Sequence, residues 1–464
     1  VTGSGALAST VVNVSGTGTL TTDADALAAG ATVTVSGTGT FTGNGADSYT
    51  AISQSGGTIN GAGLQTLSGT FSQTGGDMGG VVSATGGSAL NGGTISGSLS
   101  GGLATAASGT TNVTGSITSS GLTVSGGTVN LNGTGNVDTS SNIIGISAGA
   151  LTNDGNGIAD NEAVTVSGSG TLTTNGTDTI ASLTQSGGTV NGSALLTAGT
   201  YGQTGGDMAG LLAATTSAAL NGGTISGTLS GGLATAASGT TNVTGSITSS
   251  GLTVSGGTVN LNGAGNVNTT GNAITVSAGA LVNDGNGIAD NEAVTVSGTG
   301  TLTTNGTDTI ASLDQQGGTV DGTALLTAGT YTQSGGDMAG LVATTTSATL
   351  NGGTISGTLS GAAATVQTGT TTLTGTISAD TTITSTLEVD GGDLTGSNTL
   401  NGGTLAGLSD STITGSVATS AAGGTITAAA GTTLTLDTLD PLNGAALAIG
   451  SSGQTGTVAV NGTS

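Results

Sequence analysis

Short runs in which apolar or β-branched residues alternate with small polar residues dominate the chain. Val164–Leu172 reads VTVSGSGTL, and Thr432–Leu439 reads TTLTLDTL. An alternation with a period of two places every second side chain on the same face of an extended strand. No helical period accompanies these runs, and the single proline is Pro441. The pattern therefore predicts an all-β protein with almost no helix.

The chain also repeats itself at a long interval. Ala89–Ser120 and Ala219–Ser250 are nearly identical, and a third copy begins with Thr349–Gly361. The same interval, about 130 residues, separates the three methionines, Met78, Met208 and Met338. We therefore expect one continuous domain with long repeats at about 33–163, 164–293 and 294–390, followed by a more divergent part at about 391–464.

A shorter unit lies inside each long repeat. Gly-Gly pairs begin at Gly187, Gly205, Gly222 and Gly256, which indicates coils of about 17–20 residues. A unit this short cannot bury a core alone, so it must stack on its neighbours. We predict a single elongated parallel β-solenoid of roughly 25 coils, each rising by about 4.8 Å. One inward-facing position should hold Val190, Met208, Ile225 and Val259.

Glutamines recur two residues before the Gly-Gly pairs, at Gln185, Gln203, Gln315 and Gln333. Stacked strands in register would align these side chains into an amide ladder parallel to the solenoid axis. The alternative is that the glutamines face solvent. The sequence leaves both arrangements open.

The composition removes several classes of function. The 464 residues include no Lys, Arg, His, Cys or Trp, and the formal net charge is −24. A chain without cationic side chains cannot neutralise phosphates, so we expect no nucleic-acid partner. An anionic membrane surface is equally repulsive, and no run approaches the ~18 apolar residues of a spanning helix, so we expect no membrane insertion of this segment. The lack of Cys excludes disulfides and thiol chemistry.

Three strings resemble the repeats of bacterial autotransporter passengers and filamentous-haemagglutinin-type adhesins. They are VSGGTVNLNG (Val124–Gly133), VTVSGTGTLTTNG (Val294–Gly306) and TLNGGTISGTLSG (Thr349–Gly361). The resemblance implies a right-handed parallel β-helix that is exported to the bacterial cell surface. The total lack of Lys and Arg is unusual for that family. The sequence does not indicate the export route.

Two nearly identical stretches concentrate Asp, Asn and Glu residues: Leu151–Gly168 and Leu281–Gly298. Their string DGNGIAD resembles the acidic loops of thrombospondin-type calcium repeats, with Asn in place of one Asp. Hard cations need several oxygen ligands gathered by such a loop. The resulting calcium hypothesis assigns as ligands Asp154, Asn156, Asp160, Glu162, Asp284, Asn286, Asp290 and Glu292. The alternative is a polar corner between coils, in which Asp and Asn cap their own backbone.

A second acidic string, TNGTDTIAS, occurs at Thr174–Ser182 and Thr304–Ser312. It resembles one degenerate turn of the nonapeptide calcium repeats of RTX exoproteins. Those repeats share ions between tandem nine-residue turns, and the tandem spacing is absent here. We therefore interpret Asp178 and Asp308 as exposed turn residues.

The sequence gives little support to catalysis. A polysaccharide lyase of the β-helix type needs cations or a metal to neutralise a uronate, and the chain has no cationic side chain. A glycosidase needs only two carboxylates, but the acids here recur with the long repeat, and aromatic platforms for sugars are almost missing. We therefore expect no enzyme and no catalytic residue.

The favoured function is an extracellular structural protein, a rod or fibre subunit of the bacterial cell surface that associates head to tail. The first alternative is a surface adhesin that displays binding loops towards a host or a neighbouring cell. The second is a polysaccharide-active enzyme. Self-association is the expected partnership, and calcium is the one cofactor that the sequence suggests.

Overall fold

The computed structural model describes residues 7–134, 136–263, 266–269, 271–440, 445–450 and 455–462. Over these residues the chain is all-β with 0% helix, and its parallel strands form a solenoid of about 24 turns. This architecture confirms the predicted fold class. None of the described residues belongs to a helix that could span a membrane. The chain divides into two compact units, Val1–Gly232 and Leu233–Ser464.

Strands β1 to β26 are short in most coils, because the chain turns a corner after every few residues. In chain order they are Val11–Val14, Thr19–Thr22, Thr32–Val35, Thr40–Gly43, Asp47–Tyr49, Ala51–Asn60, Leu64–Leu67, Phe71–Met78, Val81–Ala84, Ser88–Leu90, Gly93–Ile95, Ser98–Gly101, Ala104–Ala106, Thr110–Val113, Ser116–Ser119, Leu122–Val124, Thr128–Leu131, Val137–Asp138, Ile143–Ile146, Ala150–Asn153, Ala163–Val166, Thr171–Thr174, Asp178–Asn191, Leu195–Met208, Leu211–Leu220 and Gly223–Ile225.

Strands β27 to β53 continue the same style. In chain order they are Thr228–Ala236, Thr240–Val243, Ser246–Ser249, Leu252–Val254, Thr258–Leu261, Ala273–Asn283, Ala293–Thr304, Asp308–Gln315, Thr319–Asp321, Leu325–Gln333, Asp337–Met338, Leu341–Leu350, Gly353–Ile355, Thr358–Gly361, Ala364–Val366, Thr370–Leu373, Thr376–Ile377, Thr381–Ile383, Thr386–Val389, Asp393–Leu394, Asn398–Leu400, Thr404–Gly407, Ser411–Thr419, Gly424–Ala428, Thr433–Asp440, Leu447–Ile449 and Thr457–Val460.

A coil in the first unit contributes three strands to three stacked ladders. Strands β9, β10 and β11 form one such coil, and each pairs in parallel with its counterpart β12, β13 or β14 in the next coil. Longer strands contribute to more than one ladder. Strand β23 pairs with β24 in this way, and shifts in the register between them mark the corners. The second unit uses the same parallel pairing, as between β34 and β36.

The coils vary in length more than the sequence predicted. In the first unit the coil from Ser88 to its ladder partner Ala104 is shorter than the predicted minimum. The coil from Leu122 to its partner Ile144 is longer than the predicted maximum. In the second unit the coil from Thr433 to Thr457 is longer still. The predicted range is therefore too narrow, because corners accept extra residues without disturbing the ladders on either side.

The predicted inward position is confirmed for Val190, Met208 and Ile225, whereas Val259 occupies a different inward position, in a ladder with Thr241 and Leu281. In the first unit Val190 stacks on Met208, and Met208 stacks on Ile225. All three side chains are buried, as is Val259 in the second unit. Met78 and Met338 are also fully buried, so each long repeat places a methionine inside. Burying side chains of this size stabilises the fold by about 1.5–3 kcal/mol each.

The glutamines stack inside the solenoid, so the solvent-facing alternative is wrong. Gln185 lies beside Gln203 in the first unit, and both are fully buried. The Gln185 amide donates to the main-chain carbonyls of Gly188 at 3.3 Å and Asp207 at 2.9 Å. Gln315 and Gln333 repeat the arrangement in the second unit. The side chains thus form a ladder, but their amides bond mainly to the backbone.

Candidate functional site

The two acidic stretches form equivalent turns, one in each unit. In the first unit the turn joins β20 to β21, and it is organised by Asn153, whose side chain is fully buried. The Asn153 Oδ1 atom accepts hydrogen bonds from the Gly157 N–H at 3.1 Å and from the Gly155 N–H at 3.4 Å. The turn therefore wraps around an amide that points into the solenoid, which is the Asx-type capping expected of a polar corner.

Asp178 lies directly against this turn, on the following coil. Its Oδ2 atom accepts from the Asn153 amide and, at 3.1 Å, from the Ile158 N–H. Its Oδ1 atom accepts from the Thr179 N–H at 2.6 Å. Asp178 and its equivalent Asp308 are each only 4% exposed. The prediction that they are exposed turn residues is therefore wrong, because each begins a strand with its side chain on the inward face.

Burial raises the pKa of both Asp178 and Asp308. Burial raises the pKa of Asp178 to about 6, while the hydrogen bonds from Ile158, Thr179 and Asn153 partly oppose the rise. The nearby charge of Asp160 adds a smaller upward contribution. Burial likewise raises the pKa of Asp308, and Asp290 acts on it as Asp160 acts on Asp178. A buried carboxyl with no cation beside it favours its neutral form.

A small cleft opens over the buried carboxyl in each unit. In the first unit its volume is about 290 Å³, and its walls include Asn156, Asp160, Asp178, Thr179 and Leu195. In the second unit its volume is about 270 Å³, with Asn286, Asp290, Asp308, Thr309 and Leu325 in the same places. We refer to this pair as the twin clefts. Each cleft presents carboxylate, amide and hydroxyl oxygens together.

Glu162 has a structural role that differs from its predicted role as a calcium ligand. Its side chain is fully buried. Its Oε1 atom accepts from the Thr139 N–H at 2.8 Å, and its Oε2 atom accepts from the Thr139 hydroxyl. Glu292 binds the Thr269 N–H at 2.8 Å and the Thr269 hydroxyl in the second unit. These glutamates tie one coil to the preceding one.

The predicted metal ligands are thus only partly brought together. Asn156 and Asp160 line the first cleft, as Asn286 and Asp290 line the second. The exposed Asp154 instead accepts a hydrogen bond from the Asn175 amide at 2.9 Å, and Asp284 does the same with Asn305 at 2.9 Å. In the part of the chain that the structure describes, no group of three acidic side chains is arranged to hold a metal ion.

Asn153 was not predicted as a site residue and Asp178 was predicted as an exposed one, although the sequence carries a signal for the burial of both. Asn153 is in phase with the inward Leu151, and Asp178 is in phase with the inward Ile180. The two-residue period thus indicated that both side chains face inward, but their polar residue types suggested a surface turn.

The comparisons with known proteins add no assignment: no protein-family model, no curated protein and no solved structure matches the chain.

Proposed function

We propose that the protein is a non-enzymatic structural element of an extracellular bacterial surface assembly, and that copies of the chain associate with one another. The observation that carries this proposal is the stacking itself. Within each unit, successive coils repeat the parallel pairing and bury rows of apolar side chains, and some of the coils add a buried glutamine pair. A protein built in this way is suited to hold a fixed form by many equivalent contacts.

Self-association follows from the same chemistry. A coil pairs with the next one through main-chain hydrogen bonds, so its surface is complementary to any other coil of similar design. Contacts of this head-to-tail kind are heterologous, and they grow into a fibre when they do not close on themselves. The resemblance of the repeat strings to exported bacterial β-helices supports an extracellular location.

Sedimentation velocity across a range of protein concentrations, with electron microscopy of the same samples, tests this proposal. We expect the sedimentation coefficient to increase with concentration and fibres to appear in the images. A particle that remains monomeric at every concentration would favour the adhesin alternative. Turnover of a polysaccharide by the purified chain would overturn the non-enzymatic assignment.

As a second candidate, we propose that the twin clefts bind calcium. The supporting observation is that two carboxylates and an amide, Asp160, Asp178 and Asn156, line one opening in a chain without a cationic side chain. Oxygen ligands of these types are the ones that calcium prefers. This ligand set differs from the predicted one, since it lacks Asp154 and Glu162 and includes Asp178.

A further inference from the structure

A third cleft lies outside the long repeats, in the divergent part at 391–464. It is open to solvent and has a volume of about 580 Å³. Its walls come from three neighbouring strands of the second unit, β46, β49 and β51, and from the turns before them. We refer to it as the C-terminal cleft. Its volume falls within the range of small-molecule binding sites, which is about 300–1,000 Å³.

The cleft forms where the coils become longer. Thr386 pairs with Thr404 at the ordinary coil length, whereas Ser411 pairs with the more distant Leu434. On one side of the cleft, Gly392 lies directly on the core, because a Cβ atom there would be 2.7 Å from the Leu373 Cγ atom. The backbone therefore lies close to the core at Gly392, and the longer coil forms the opposite wall of the cleft. Neither feature belongs to the long repeat.

The carboxylates of the cleft are fixed in position by hydrogen bonds. Asp393 accepts from the Thr414 N–H at 2.9 Å and from the Thr414 hydroxyl at 2.8 Å. The Oδ1 atom of Asp410 accepts from the Thr433 N–H at 2.7 Å. The Oδ2 atom of Asp410 accepts no hydrogen bond within the described chain, so it is available to a ligand as an acceptor.

Hydroxyl groups complete the wall. Thr412, Thr433 and Thr435 line the cleft, and their hydroxyls form no hydrogen bond within the described chain. Each free hydroxyl offers one donor and two acceptor positions. The cleft therefore combines a preorganised acceptor at Asp410 with three groups that donate or accept as the ligand requires.

We propose that the C-terminal cleft binds a neutral carbohydrate. Adjacent sugar hydroxyls can donate to Asp410 and accept from the threonine hydroxyls, so both partners satisfy their hydrogen-bonding groups. Uronate and phosphorylated ligands are disfavoured, because Asp393 and Asp410 are both acidic and the chain carries a net charge of −24. The proposal goes beyond the structural role and does not depend on self-association.

The experiment is a binding screen of the full chain against an immobilised panel of neutral, uronate-containing and amino-sugar glycans, repeated in a chelator. Asp410→Asn replaces the free acceptor with a donor and keeps the shape of the side chain. Asp380→Asn is the matched control, because Asp380 is an exposed aspartate that accepts one backbone N–H, from Ser397 at 2.9 Å, outside the cleft. Thr412→Val removes one hydroxyl at nearly constant volume.

We expect neutral glycans to be retained, with chelator causing no loss. Asp410→Asn should weaken their binding by about tenfold and Thr412→Val by a smaller factor, whereas Asp380→Asn should leave it unchanged. Circular dichroism melts of each variant establish that the fold is intact. The proposal is overturned if no neutral glycan is retained, if Asp380→Asn and Asp410→Asn act alike, or if retention requires calcium or a cationic sugar.

Discussion

Two buried acidic residues have structural roles that their residue type alone would not suggest. Asp178 and Asp308 are buried acids whose carboxylates receive N–H groups from two coils. They stabilise the turns around Asn153 and Asn283, yet no positive side chain is available anywhere in the sequence to balance them. Each of these carboxyl groups is therefore well hydrogen-bonded but poorly solvated. The poor solvation raises its pKa.

This raised pKa predicts an unusual dependence of stability on pH. The folded-state pKa of Asp178, about 6, exceeds the ordinary value of 3.8. The folded chain therefore binds the proton more tightly than the unfolded chain does. The stabilisation is fully present below pH 4 and is lost as the pH rises through about 6. We expect the melting temperature to fall between pH 4 and pH 7.

The double variant Asp178→Asn, Asp308→Asn isolates this contribution, because asparagine does not titrate. Melts of the variant across the same pH range should show a shallower slope than those of the native chain, whatever the absolute stabilities are. Equal slopes would mean that these two acids do not carry the effect.

Glycine is required at the corner that contains Gly157 but not at Gly202, which lies inside strand β24. A Cβ atom at Gly157 would lie 2.6 Å from the Asn153 Oδ1 atom and 2.8 Å from the Leu131 Cβ atom. A Cβ atom at Gly202 would meet nothing within 4 Å. Gly157→Ala should therefore destabilise the first unit by about 1–3 kcal/mol, as overpacking does. Gly202→Ala should be neutral or slightly stabilising, since it only restricts the unfolded chain.

Thermal or urea unfolding of the two glycine variants side by side measures this difference. Similar midpoints for both variants would show that the turn around Asn153 relaxes more easily than its close contacts indicate.

At the residue scale, the sequence predicted apolar positions well and polar ones poorly. Val190 and Met208 are inward as expected, because an apolar side chain in strand phase has only one favourable face. Gln185 and Glu162 are equally buried, but their burial depends on which backbone groups the neighbouring coil presents. That information exists only once the coils are stacked, so residue type alone could not supply it.

At the scale of elements, the corner is the variable part of the coil. The ladders of the first unit stay paired through the short coil from Ser88 to Ala104 and through the long one from Leu122 to Ile144. The Gly-Gly spacing could indicate a mean coil length but not the lengths of these two coils. Extra residues are inserted at the corners, where the sequence has no regular period. The twin clefts and the C-terminal cleft lie at such corners.

Calcium binding at the twin clefts is tested at this scale. If the ion binds the folded chain preferentially, it raises the melting temperature through mass action. Asp160→Asn combined with Asp290→Asn should abolish the shift, since these residues line the clefts. Asp154→Asn combined with Asp284→Asn is the matched control, because these acids bind asparagine amides instead.

Superimposable melts of the native chain with calcium and with chelator would leave the polar corner as the only role of these turns. A shift that survives in the Asp160 and Asp290 variant would place the ion elsewhere.

At the scale of the whole molecule, the one-sided charge dominates. The chain carries 24 acidic residues and no Lys, Arg or His, so every long-range interaction between charged side chains is repulsive near neutral pH. Burial of small apolar side chains and main-chain hydrogen bonds must outweigh this repulsion. The acidic exterior also limits which ligands and partners approach closely.

Monovalent salt should therefore stabilise the protein. The Debye length shortens from about 30 Å at 0.01 M to about 10 Å at 0.1 M, which screens repulsion between exposed acids. We expect the melting temperature at pH 7 to rise as sodium chloride is added over this range. Because the repulsion is much weaker at pH 4, the same addition there should have a smaller effect. A salt response that is flat at pH 7 would contradict this view.

The stacking of parallel coils in register is the claim on which every functional conclusion above depends. The most direct measurement is disulfide formation between cysteines introduced into this cysteine-free chain. Thr171 and Thr189 are ladder partners, whereas Asn191 is the partner of Thr173. The Cα atoms of ladder partners lie about 4.8 Å apart, within disulfide range, and diagonal neighbours are about 7–8 Å apart.

We predict that Thr171→Cys with Thr189→Cys forms a disulfide under mild oxidation, as read by peptide mass spectrometry. Thr171→Cys with Asn191→Cys should remain reduced under the same conditions. Cross-linking of the second pair but not the first would contradict the register, and with it the stacked architecture of the solenoid.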